Sequence, residues 1–130
     1  MNSDVKIAMK KIALADLLSL EAYEAQRPVI RSAIMDHKKI RRAPLGPNST
    51  LHFEDYMVMR YQIMELIRAE KISADDELEG ELEAYNPLIP DGKNLKVTFM
   101  LEYLDKAERK ERRRQLTGIE ELISIQIAGF

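Results

Sequence analysis

Leu95-Lys96-Val97-Thr98-Phe99-Met100-Leu101-Glu102-Tyr103 is the stretch on which the fold turns. Apolar and aromatic residues stand at its odd positions and alternate with Lys96, Thr98, Met100 and Glu102. Only an extended strand converts that period of two into one dry face and one wetter face. Odd-numbered side chains are therefore expected inward. Downstream, Asp105 is placed to cap a basic helix ending near Gly118, and Ile119, Glu121, Ile123, Ile125 and Ile127 read as a last strand. Upstream, Asn86-Pro87-Leu88-Ile89-Pro90-Asp91-Gly92 contains two prolines and a glycine, which exclude a helix or a central strand. A loop pinned to the core by Leu88 and Ile89 is the expectation there.

Further toward the N-terminus, Ser73 opens a short helix whose Leu78, Leu82 and Tyr85 form a thin apolar stripe. Before it, Asp55 is placed to cap a long helix reaching about Ile72. Tyr56, Met59, Ile63, Leu66 and Ile67 recur at helical spacing, and Met57, Tyr61 and Met64 widen the stripe enough to make this helix the central one. Leu51 and Phe53 alternate with Thr50, His52 and Glu54 as a short strand, and Pro44-Leu45-Gly46-Pro47-Asn48 places a turn between extended segments. The chain begins with a helical region in which Ser19 is the N-cap, Pro28 forces a kink or a new start, and the Lys38 to Arg42 cations meet a helix C-terminus. Strands and helices do not alternate regularly, so the fold class is α+β: a helical N-terminal region and a small twisted, mostly antiparallel sheet packed on a central helix over residues 55–72.

Composition bounds the function. At 130 residues with 45% hydrophobic and 32% charged residues, the chain is sized and balanced for one globular domain. Its net charge of −2 argues against a dedicated nucleic-acid or polybasic membrane protein, and the absence of cysteine excludes disulfides, thiolate nucleophiles and iron–sulfur ligation. No apolar run approaches the ~18 residues that span a bilayer, and the first residues do not lead into a signal-peptide core, so a cytoplasmic protein is expected. Charge is segregated nonetheless: residues 73–83 carry six acids and no base, whereas residues 106–114 carry six bases.

Several phrases together resemble a bacterial family, domain of unknown function family 3501. They are Ala15-Asp16-Leu17-Leu18-Ser19-Leu20-Glu21 with Arg27-Pro28, Leu45-Gly46-Pro47, Tyr61-Gln62-Ile63 through Arg68-Ala69-Glu70, the Asn86 to Gly92 phrase with Asn94-Leu95 and Glu102-Tyr103, and Gly118-Ile119-Glu120. The resemblance spans nearly the whole chain. It implies no assigned activity, but it implies gene neighbours of the rubrerythrin-like and iron–sulfur oxidoreductase kinds, and so a role near peroxide or electron-transfer chemistry. Similar proteins continue past Ile127-Ala128-Gly129-Phe130, so the expectation is a short or C-terminally truncated form with an exposed sheet edge open to another chain.

Three sets of residues carry candidate chemistry. His52, Glu54 and Glu102 offer imidazole and carboxylates on the polar face of the sheet, ligands that would suit Zn, Fe or Mn if they converged; the ordinary reading of such a face is a solvated one. On the central helix, Arg60 and Glu70 lie in or beside the apolar arc, about 15 Å apart along the axis, so each needs its own partner. Arg60 reads as a structural ion pair with Glu102 or Glu54, or as an anion-binding arginine, while Gln62, Glu65 and Arg68 form a solvated stripe and His37 a surface residue. The basic runs Lys38–Arg42 and Arg109–Arg114 lack interleaved aromatics, which leaves nucleic acid unfavoured. The expected function is a non-catalytic accessory or interaction protein linked to redox or stress metabolism and forming a homo-oligomer. The alternative is a metal- or anion-binding enzyme using His52, Glu54, Arg60 and Glu102.

Overall fold

Ser19 and Asp55 set where the two longest helices begin. Their side-chain oxygens accept hydrogen bonds from the Ala22 amide at 3.2 Å and the Val58 amide at 2.9 Å, satisfying donors that a first helical turn leaves free. The computed structural model describes residues 9–126. In order they form α1 (Leu20–Lys39), β1 (Arg42–Pro44), β2 (Ser49–Phe53), α2 (Tyr56–Glu70), α3 (Asp75–Tyr85), β3 (Val97–Leu101) and α4 (Lys106–Gln115). Short 3-10 turns occupy Leu14–Asp16, Asn86–Leu88 and Ile119–Leu122. The strands lie in the order β1-β2-β3 with both pairs antiparallel, so the fold is α+β as the sequence predicts.

Helix α1 differs from expectation in running unbroken through Pro28, where a kink or a fresh start is predicted. Pro28 is exposed, so water can serve the Glu24 carbonyl that the missing N–H leaves without an intrahelical donor. Helix α2 ends at Lys71, whose φ of +52° is left-handed, and the Ile72 amide closes back on the Ile67 carbonyl at 3.2 Å.

The core is helical. Met59, Ile63 and Met64 of α2 are fully buried against Tyr23 of α1, Leu82 of α3 and Ile89 of the following loop, and Ile12 packs into the same cluster. Ile89 thus pins the loop as expected, while Leu88 stays partly exposed at its rim. The Asn86 amide fastens the beginning of the described chain: the Ile12 N–H donates to its Oδ1 at 2.8 Å, and its Nδ2 donates to the Ile12 carbonyl at 3.0 Å.

The sheet stands beside this core. Leu51 pairs with Phe99 and is buried, and Phe99 and Leu101 are half-buried, but Leu95 and Val97 are exposed and the odd side turns to Ile123 and Ile125 instead of the helical core. The alternation of the 95–103 stretch therefore holds over Val97–Leu101, while its expected inward face does not. Its even side, with His52, Thr98 and Met100, looks across a hollow to Val58 and Gln62 of α2. The last strand, by contrast, is a correction. Gly118 turns the chain at φ +87°, the Glu121 amide donates to the Gly118 carbonyl at 3.1 Å, and the Ile123 amide donates to the Glu120 carbonyl. Those local carbonyls take up N–H groups that a ladder would need, leaving a 3-10 turn followed by irregular chain through residue 126. Ile127 lies outside the described residues. Ile123 and Ile125 still meet the apolar side of the sheet, closing with Leu51, Val97 and Phe99 around a hollow of about 350 Å³. Asp105 caps α4 as predicted, its Oδ2 accepting from the Glu108 amide at 2.8 Å, but that helix buries no residue.

Candidate functional site

A hollow of about 420 Å³ opens where the C-terminal end of α1 and the first turns of α2 face the even side of the sheet. Two adjacent acids are buried at the β2–α2 junction, Glu54 at 7% and Asp55 at 5% exposure, and Glu54 lines the hollow. Asp55 is fully engaged. One oxygen caps α2, and the other meets His37 Nε2 at 2.6 Å and Arg41 Nε at 3.2 Å, the same Nε that donates to the Phe53 carbonyl at 3.2 Å. His37, which the sequence places at the surface, is thus half-buried and tied to an acid at the start of α2. Glu54 has a different environment. Burial pushes its carboxyl above the usual range, against the pull of Lys38; the neighbouring Asp55 pushes the same way as burial, and Thr98 and Arg41 oppose it. His52, which lines the same hollow, has a buried Nε2 with no hydrogen-bond partner among the described residues.

His52 and Glu54 therefore share a hollow, but the other sequence candidates do not join them. The Glu54 amide donates to the Lys96 carbonyl at 2.8 Å at one end of the β2–β3 ladder, and the Glu102 amide donates to the Asn48 carbonyl at 2.7 Å at the other. Six ladder positions at about 3.4 Å each separate them by about 20 Å, too far for one metal ion. Arg60 is corrected as well. Its Nε donates to the Asp16 backbone carbonyl at 2.8 Å, not to Glu54 or Glu102, and it lines a separate hollow of about 230 Å³ with Tyr23, Ile34 and Tyr56. Glu70 is exposed in the last turn of α2. Among the described residues no three His, Asp or Glu side chains are grouped to hold a metal ion.

Sequence reasoning missed the strongest electrostatic centre, Glu65. Arg27 grips it with two bonds, Nε to Oε2 at 3.0 Å and Nη2 to Oε1 at 2.8 Å, and the Tyr23 and Tyr61 hydroxyls each donate to it at 3.0 Å. The Arg27 hydrogen bonds outweigh partial burial and, with the two phenols, hold the carboxyl down at about 2. Tyr23 is pushed up by burial and then by the Glu65 carboxylate. Four donors occupy this acid, which makes it a strut between α1 and α2 and leaves no lone pair poised for a substrate. The i, i+4 spacings of Tyr23 with Arg27 and Tyr61 with Glu65 are the signal that could have found it. Gln62, assigned with Glu65 to a solvated stripe, lines the 420 Å³ hollow. The second basic run behaves as expected: Arg114 pairs with Glu111 at 2.8 Å and Arg112 bonds Gln115 along an exposed face.

Comparison with known proteins adds similarity without chemistry. Residues 11–130 match a family model described as "Protein of unknown function (DUF3501)". A crystal structure of a novel protein of unknown function from Burkholderia pseudomallei K96243 superposes with a TM-score of 0.83 at 40% identity. That match covers 85% of this chain and 57% of the other, so the chain spans little more than half the length of this relative. Comparison with curated proteins finds no match. No helix among the described residues is long and apolar enough to cross a membrane.

Proposed function

The chain belongs to the DUF3501 family, and on that premise we propose that it is a non-catalytic interaction protein that associates with copies of itself through the outer edge of β3. The backbone register carries this reading. Lys96, Thr98, Met100 and Glu102 are the β3-side residues whose backbone groups turn toward β2, as the Glu54 to Lys96 and Glu102 to Asn48 bonds show. By alternation, the N–H and C=O groups of Val97, Phe99 and Leu101 turn the other way. Among the described residues no backbone hydrogen bond reaches them. The opposite edge is blunted, since β1 has three residues and ends in Pro44.

A row of unpaired groups flanked by apolar side chains is a template for strand addition. Leu95 is 54% exposed, Met100 42% and Leu104 fully exposed. Phe99 lies at the middle of the five-residue strand, so a second copy running antiparallel about a two-fold axis would repeat the same contacts, Phe99 beside Phe99. The setting we propose is cytoplasmic redox or stress metabolism, supported by the gene neighbours that the family resemblance implies, with rubrerythrin-like or iron–sulfur oxidoreductase proteins as further partners. The test is light scattering on the full chain and on Val97→Pro, which removes one outward N–H at the first strand position without touching the β2 ladder. A dimer that dissociates in the variant, with unchanged circular dichroism, supports the proposal. A wild-type chain that stays monomeric as its concentration rises removes it.

A further inference from the structure

We infer that the hollow between α1, α2 and the even side of the sheet binds a small organic anion consisting of an apolar body and a carboxylate end. Its volume of about 420 Å³ falls in the range of roughly 300–1,000 Å³ typical of small-molecule sites. Met35, Val58, Leu88 and Met100 supply walls with no polar demand, which inorganic phosphate would leave unused. A purely apolar occupant would in turn leave the polar floor unused.

The charges sort in favour of an anion. Lys38, Lys39, Arg41 and Arg42 all line the hollow. Arg41 is spent on Asp55, and the Lys38 ammonium sits 5.4 Å over the Tyr61 ring, so each is held in place. Lys39 reaches only the exposed Asp36, and Arg42 has no ion-pair partner among the described residues. Against these four cations stands a single acid of the lining, Glu54, whose carboxyl burial pushes above its usual range.

The second, independent observation is the orphaned His52 Nε2. A buried polar atom without a partner costs free energy that a bound acceptor would recover. Thr98, the cross-strand partner of His52, and Gln62 of α2 bring a hydroxyl and an amide that can donate to the same hollow. A carboxylate seated there would accept from His52, Thr98 and Gln62 and lie within the field of Arg42 and Lys39, with its hydrocarbon against the methionines and Leu88. This site is separate from the β3 edge, and its test does not depend on self-association.

The experiment is calorimetric titration of the full chain with sodium octanoate, with 1-octanol and inorganic phosphate as comparison probes, and nitrogen NMR of the histidine rings. The expected result is saturable octanoate binding that shifts the His52 Nε2 resonance, weakens about tenfold for 1-octanol, and weakens about tenfold in Lys39→Ala with Arg42→Ala, a change of about 1.4 kcal/mol. Both altered side chains are exposed, so the fold should be kept. Leu88→Trp at the mouth should abolish binding, and Val97→Pro should leave it unchanged. Equal affinity for octanol and octanoate overturns the anion reading, and phosphate binding as tightly as octanoate overturns the apolar body. Absence of saturable octanoate binding below about 1 mM, or a His52 signal that does not move, overturns the site itself.

Discussion

Replacing Glu65 by Gln keeps the side chain's shape but removes the charge at the strut between α1 and α2. The amide also presents a donor where Arg27 and two phenols already donate. The carboxyl is lowered from its usual 4.5 to about 2. At about 1.36 kcal/mol per pH unit that difference corresponds to about 3 kcal/mol. The Glu65 and Arg27 side chains are 24% and 26% exposed, so solvent screening reduces the expectation to about 2 kcal/mol. A depressed folded-state pKa contributes stability that is fully present above the unfolded value and fades as pH falls toward the folded one. The wild-type advantage over Glu65→Gln should therefore be about 2 kcal/mol at neutral pH, begin to shrink near pH 4.5, and vanish near pH 2. Urea unfolding of both proteins across that range measures it directly. At neutral pH the melting temperature should fall by about 8 °C, taking about 4 °C per kcal/mol for a domain of this size. Two stability curves that stay parallel down to acid, or a neutral-pH difference under about 0.5 kcal/mol, would refute the assignment of Glu65 as an ionised strut.

Asp55→Ala removes the α2 cap together with the acceptor for His37 and Arg41, so a loss of about 2–3 kcal/mol is expected in denaturant unfolding. Lys71→Gly relieves a left-handed backbone on a residue with a Cβ and should raise stability by about 1 kcal/mol, seen as a higher midpoint at constant slope.

How much of this was legible in the residues depended on the range of the interaction concerned. The strand read in 95–103, observed over Val97–Leu101, and the caps at Ser19, Asp55 and Asp105 are local statements, carried by alternation or by a side chain three residues from its donor, and as elements they hold. The segment from Ile119 alternates just as well, yet a turn at Gly118 spends its amides locally; alternation shows which face is apolar, not whether a neighbouring strand is there to pair. The candidate site failed where register mattered. Glu54 and Glu102 share a face by parity, but pairing partners place them at opposite ends of the ladder, and no periodicity encodes that offset. Arg60 found a backbone carbonyl, an acceptor present at every residue and therefore invisible to any pattern of side chains. Glu65 needed the packing of α1 on α2 before its partners existed.

The paired hydrogen bonds between Asn86 and Ile12 join positions 74 residues apart in sequence. Closing so wide a loop costs entropy that only a largely assembled helical core can offset, so this latch belongs to the late stages of folding. Interactions made that late govern how quickly the native state is lost more than how quickly it forms. In kinetic terms the segment at Ile12 is a bolt shot home last, and Asn86, in the same short turn as Leu88 at the mouth of the hollow, governs how long the structure that carries the hollow persists.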